Sequence, residues 1–257
     1  MDLAQWYGQM GQRLVEGHSL GFWNGALYDF YQSFLYGDRW KLYIQGLGVT
    51  LEATVLALLM GVVIGVAIAV IRSVHDQQRL AHRNPVLGFF DAVCKVYVTV
   101  IRGTPMMVQL LIMGFVVFKS SRNITLVAAL SFSINSGAYT SEIIRGGLMS
   151  VDPGQMEAGR SLGMNYRQVM RFIVVPQAIK NILPALGNEF ITLLKDTSIV
   201  TVIGGRDITK VALLIQGKTY GGFMSLFGVA LVYLAMVMLF TWLLDILERR
   251  MRKSDQR

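Results

Sequence analysis

Ala53–Ile71 and Phe223–Leu244 are long runs of this sequence without a charged residue. A helix rises about 1.5 Å per residue, so either run is long enough to cross about 30 Å of hydrocarbon. In that medium a segment must pair its own backbone groups, which favours helices over irregular chain. Composition agrees: 53% of residues are hydrophobic and 16% charged, where soluble domains carry about 25% charged residues. Three further apolar stretches, from about Val86 to Phe118, Ile124 to Met149 and Ala178 to Ile203, bring the expected number of spans to five. The first span extends from about Leu42 to Ile71, with Glu52 as its one charge. The expected fold is an all-α membrane protein of five transmembrane helices.

Residues 1–41 are polar and aromatic, with Trp6, Trp23 and Trp40 among tyrosines and phenylalanines. Such rings favour the headgroup level, so this segment reads as an interfacial arm with a helix lying on the membrane. An additional transmembrane helix is the alternative, opposed by Asp29, Asp38 and Arg39. No secretory leader is expected, because the start lacks a basic region followed by an apolar core. The transmembrane region is placed at 42–248 and a basic tail at 249–257. Gly61-x-x-x-Gly65 predicts close helix packing. The second stretch is longer than one crossing needs and is interrupted at Arg102-Gly103-Thr104-Pro105, since proline cannot donate to the helical ladder. A broken helix at membrane depth requires a protein-lined or wet surrounding.

Five spans put the termini on opposite sides. With the N-terminus outside, the inner segments (72–85, 142–180 and 245–257) hold thirteen Lys and Arg, and the outer segments (1–43, 119–123 and 204–222) hold eight. The positive-inside bias favours an external N-terminus and a cytoplasmic C-terminus. Arg72, Arg79 and Arg83 mark the first inner loop. The net charge of +8 fits this cytoplasmic face, and no basic-aromatic motif points to nucleic acid.

Between the third and fourth spans lies EAGRSLGMNYRQVMRFIVVP, Glu157 to Pro176, within a loop of about 150–177. Its charges, Glu157, Arg160, Arg167 and Arg171, keep it out of hydrocarbon and offer a cationic face. Its length holds one or two short helices. Gly163 can take the left-handed conformation that stops a helix, and Pro176 is expected to end or kink the second one.

The order Glu157-Ala158-Gly159, then Gly163, then Ile173-x-Val175-Pro176 resembles the cytoplasmic signature of ABC importer permeases. Gly159 replaces an alanine of that pattern and Val175 a leucine. The resemblance extends from about Gly46 to Met251 and is nearest the polar amino acid importer permeases of the glutamine, histidine and arginine type. Further matching pieces are Arg102–Pro105 with Val108-Gln109, Asn135–Tyr139, Glu142-Ile143 with Arg145-Gly146, Gly187-Asn188, Lys195–Ser198 and Leu247–Met251. It implies the type I importer arrangement, with coupling helices between spans 3 and 4 contributed by Glu157, Ala158, Gly159, Arg160 and Gly163. It implies a cytoplasmic ABC ATPase dimer, a second permease subunit (identical or related), an extracellular substrate-binding protein and an amino acid substrate. The setting implied is a bacterial cytoplasmic membrane.

Glu189 and Asp196 lie seven residues apart in an otherwise apolar span and so share a helical face. Such carboxylates mark a substrate pathway or form structural contacts. Acidic residues at these positions contact the amino acid in the arginine-type permeases this chain resembles, and glutamine-type members are neutral at the position of Glu189. That leans the substrate toward a cationic amino acid. Glu52 is a third candidate, with an interfacial carboxylate as the alternative. Arg102 can bind a substrate carboxylate bidentately or pair with a nearby acid. Glu142 and Arg145 are expected to form an ion pair.

No Walker pattern, Gly-x-Ser-x-Gly or His-Glu-x-x-His is present, so the reading is a transport subunit with no catalytic residue and no cofactor. The three histidines show no metal-ligand spacing, so no metal site is expected. Cys94 reads as a buried hydrophobe. An ATP-independent channel or secondary transporter is the alternative class, although no internal repeat supports it.

Overall fold

The computed structural model describes residues 2–76, 78, 84–219 and 222–253. Arg79, Arg83 and the last four residues of the basic tail lie outside them. Among the described residues every regular element is helical. α1 (Leu3–Val15) and α2 (Gly21–Phe30) precede α3 (Arg39–Asp76), followed by α4 (Pro85–Gly103), α5 (Met106–Ile112) and α6 (Ile124–Met149). α7 (Pro153–Ser161) and α8 (Tyr166–Val169) lead into α9 (Val175–Asp196), α10 (Ile208–Thr219) and α11 (Gly222–Lys253).

α6 runs through the middle of the bundle against α3, α4, α5 and α9. Its sequence explains how a helix so rich in serine and threonine can lie there. Ser131 donates to Val127 O at 2.7 Å, Ser133 to Leu130 O and Ser141 to Ala138 O, both at 2.8 Å, so these hydroxyls are satisfied within the helix itself. The core forms where α6 meets its neighbours: Phe132 and Ala128 pack with Ala57 of α3, Leu110 of α5 and Leu193 of α9.

The expected close approach of α3 occurs, and α6 is the partner. A side chain at Gly61 would place its Cβ 3.0 Å from Ser136 Cβ, and one at Gly65 2.5 Å from Thr140 Cγ2. Neither glycine therefore leaves room for a methyl group.

Among the described residues, three helical stretches are long and apolar enough to cross a membrane: Gly21–Asp76, Tyr166–Ile203 and Phe223–Met251. The bent pair α4 and α5, with its π-helical extension Met113–Val117, makes a fourth if counted as one span. α6, at about 39 Å for 26 residues, is long enough, but its buried hydroxyls and Asn135 lower its apolar character.

Residues 204–222, read from sequence as an outer loop segment, contain α10, whose Ile208, Val211, Ala212 and Ile215 are buried against Tyr43 and Val229. Asp207 starts this helix by accepting from the Thr209 and Lys210 backbone N–H groups at 3.0 and 3.2 Å. α10 is short and flanked by polar residues, which hid it from a search for spans. At the N-terminus, α1 folds back on α2 through Tyr7, whose ring stacks on Tyr28 at 4.6 Å. The chain then turns into α3 at Gly37 and Asp38, both with positive φ (61° and 57°).

Overpacking a tight helix contact costs about 1–3 kcal/mol. Gly65→Val is expected to lower the thermal midpoint of the purified protein in detergent, whereas Gly48→Val, on the same helix with nothing within 4 Å, leaves it in place. Equal midpoints for the two variants would show that the α3–α6 approach does not hold the bundle.

Candidate functional site

The interruption expected at Arg102–Pro105 is a bend of 107° between α4 and the α5 segment. Pro105 contributes no N–H, and the bend removes carbonyls from the α4 ladder. One side chain repairs it. The Gln109 amide donates to Ile101 O at 2.8 Å, Thr104 O at 3.1 Å and Thr104 Oγ1 at 2.7 Å. Its oxygen accepts from Asn135 Nδ2 of α6 at 3.0 Å, which anchors the bend to the central helix. Sequence reasoning quoted Gln109 and Asn135 only as parts of motifs. The signal available was an amide four residues after a helix-breaking proline.

The bend opens a cavity of about 450 Å³. Arg102, Gly103, Thr104, Pro105 and Met106 form its broken-helix wall, Asn135 and Tyr139 come from α6, and Glu189, Thr192 and Asp196 come from α9. Three of the four candidate substrate residues, Arg102, Glu189 and Asp196, thus line one space. None of the three enters an ion pair among the described residues. The Arg102 guanidinium instead lies over the Tyr139 ring, 5.1 Å from its centroid. One cation and two carboxylates thus face the cavity. Glu52 is exposed on α3 and not part of this lining, because the face of α3 turned to the bundle carries Ala53, Thr54 and Ala57.

The polar loop forms two short helices. α7 begins with Asp152 capping Gly154 N at 2.7 Å and ends at Gly163, whose φ of +83° is the left-handed turn expected there. Met164 N donates to Gly159 O at 3.1 Å and Gly163 N to Arg160 O at 3.0 Å, the paired bonds of a Schellman stop. Glu157, Ala158 and Arg160 are exposed, whereas Gly159 is buried. A Cβ at Gly159 would lie 2.8 Å from Val169 Cγ2 and 3.0 Å from Ile173 Cδ1, so the glycine lets α7 seat on the following helix. Asn165 and Gln168 form a capping box that starts α8. At Pro176 the helix does not end. A π-helical turn over Met170–Val174 carries α8 into α9.

At the loop end of the bundle, Glu142 pairs with Arg145 as expected, Nε to Oε2 at 3.6 Å, and also with Arg72 of α3. Arg145 reaches Asp76 at 3.9 Å, His75 reaches Asp91 at 3.2 Å, and Lys95 holds Asp91 at 2.7 Å. The ligand atoms of His75, Asp76 and Asp91 lie within 4.8 Å of one another, a proximity that sequence spacing did not reveal. The Lys95 ammonium already balances the buried Asp91 carboxylate, so the cluster reads as an ion-pair network joining α3, α4 and α6. Cys94 is buried beside it, as expected.

Residues 80–253 match the family described as binding-protein-dependent transport system inner membrane component. The chain belongs to this family. Among curated relatives, the arginine transport system permease protein ArtQ of Bacillus subtilis (strain 168) is 35% identical over 217 residues, covering 82% of this chain and 93% of that protein. The glutamine transport system permease protein GlnP of Escherichia coli (strain K12) is 33% identical over 215 residues, with coverages of 82% and 93%. A crystal structure of an amino acid ABC transporter with histidines superposes with a TM-score of 0.73 at 43% identity, covering 82% of this chain and 94% of that one. The MetNI methionine transporter shares the fold at 18% identity and a TM-score of 0.72, with coverages of 84% and 99%. The chain is thus a permease subunit of an ABC transporter.

In this permease, the bend should depend on Gln109. A hydrogen bond of this kind contributes about 0.5–1.5 kcal/mol. With spin labels at Val93 and Phe115, both exposed, Gln109→Leu is expected to broaden and lengthen the distance distribution between the two arms. A distribution superimposable on that of the unsubstituted protein would show that the bend is held by other means.

Proposed function

We propose that this permease moves a cationic amino acid through the cavity beneath the α4–α5 bend, by alternating access driven by a separate ABC ATPase. The observation that carries the reading is the charge balance of the cavity: Arg102 faces it together with Glu189 and Asp196, with no ion pair among them. An amino acid with a positively charged side chain presents one carboxylate and two cations. Arg102 takes the carboxylate in a bidentate pair, Asp196 the α-amino group and Glu189 the side-chain cation. A neutral amino acid leaves one carboxylate of the site without a counter-charge. Relatives named for arginine and for glutamine transport support an amino acid, and the carboxylate pair favours the cationic kind.

Around this site the proposed arrangement is five spans of the type I importer kind: α3, the bent α4–α5 pair, α6, α8–α9 and α11. The N-terminus lies outside and the C-terminus in the cytoplasm, as the Lys and Arg bias supports. Residues 1–41 form the interfacial arm. α7 and α8 are the coupling element: Glu157, Ala158 and Arg160 meet the ATPase dimer, while Gly159 and Gly163 set the seat and the stop of α7. An extracellular binding protein delivers the substrate, and a second permease subunit completes the pathway.

A hydrogen bond to a charged group contributes about 1.5–3 kcal/mol, and a neutral one about 1. Glu189→Gln is therefore expected to weaken arginine binding to the purified permease about tenfold while changing glutamine binding little. In the same reconstituted complex, Gly163→Pro should abolish substrate-stimulated ATPase activity, because proline cannot adopt φ of +83°. Arginine binding unaffected by Glu189→Gln would make that carboxylate structural. Normal stimulation in Gly163→Pro would remove α7 from coupling.

A further inference from the structure

A groove of about 710 Å³ with almost wholly apolar walls runs between α3 and α9, over a floor that includes Leu148 of α6. Val66 and Val70 line it from α3, Ile179 and Leu183 from α9, and all four side chains are exposed. From Val62 to Val74 the α3 wall advances about 18 Å, close to the roughly 15 Å of hydrocarbon in one leaflet, half of the total. The groove has the length of one acyl chain.

Its polar end is cationic. Arg167 and Arg171 lie there, one helical turn apart, and neither enters an ion pair among the described residues. Arg171 otherwise rests over the Phe172 ring at 5.7 Å. Two guanidiniums at the end of a leaflet-deep apolar slot complement a ligand with a hydrocarbon chain and an anionic phosphate. An apolar helix of a second subunit would fill the slot but leave both guanidiniums without a counter-charge.

We propose that this groove binds an anionic phospholipid of the cytoplasmic leaflet, with one acyl chain between α3 and α9 and the phosphate on Arg167 and Arg171. The assignment rests on the orientation proposed above. The lipid sits against α9, the helix that further along carries Glu189.

The test uses the purified permease–ATPase complex, exchanged into phosphatidylglycerol or phosphatidylcholine of identical chains, with retained lipid counted by native mass spectrometry. The complex is expected to retain phosphatidylglycerol at least tenfold better. Arg167→Gln with Arg171→Gln brings the two lipids to near parity, and Val70→Trp, which blocks the slot, lowers retention of both. Millimolar inorganic phosphate leaves the bound phosphatidylglycerol in place. Equal retention of both lipids, an unchanged preference in the double variant, or displacement by phosphate alone would overturn the proposal. So would a disulfide-linked permease pair formed through Ile179→Cys in a Cys94→Ala background, which would make the groove a subunit interface. Retention is read without transport, so loss of the lipid site and loss of the amino acid reading are separate results.

Discussion

The α4–α5 bend takes backbone carbonyls out of the α4 ladder, and each then needs a new hydrogen-bond donor. The Gln109 amide answers that requirement by donating to Ile101 O and Thr104 O, and Asn135 ties the amide to α6. The rest of the site follows from this junction. The bend moves Arg102 and Pro105 to one side of a cavity, and α6 fixes that side relative to Glu189 and Asp196. α6 can serve as the anchor because Ser131, Ser133 and Ser141 bond within their own helix and Gly61 and Gly65 let α3 lie against it.

The same economy of polar groups operates at the loop end of the bundle. Arg72, Glu142, Arg145, Asp76, His75, Asp91 and Lys95 form a chain of polar contacts across α3, α4 and α6. Below them α7 is held by the Gly163 stop and the buried Gly159, so it is a short rigid body beside the bundle. The chain continues from this loop through α8 into α9, the helix that also carries Glu189.

Much of this was legible in the residues. The uncharged runs near Ala53 and Phe223 indicated helices long enough to span, Pro105 a break, and Gly163 a left-handed stop, because each of these is a local backbone property. Seven-residue spacing was enough to place Glu189 and Asp196 on one face. The contacts that depend on two distant segments were not legible. Gln109 meeting Asn135, His75 meeting Asp91 and α10 lying against Tyr43 all require the three-dimensional packing. Nor was the direction of Glu52 legible, a charge in a span that faces away from the bundle. At Pro176, expected to end or kink the helix, a π-helical turn just before the proline carries the helix on.

The central claim is that the space beneath the bend holds the transported molecule, and thiol protection measures it directly. Thr104→Cys and Thr192→Cys place single thiols on opposite walls of the cavity, with the buried Cys94 replaced by alanine. In the reconstituted transporter both thiols should react with a small water-soluble reagent, and saturating arginine should slow both reactions while leaving a Gly48→Cys control unchanged. Reaction at the same rate with and without arginine, at both walls, would contradict the account.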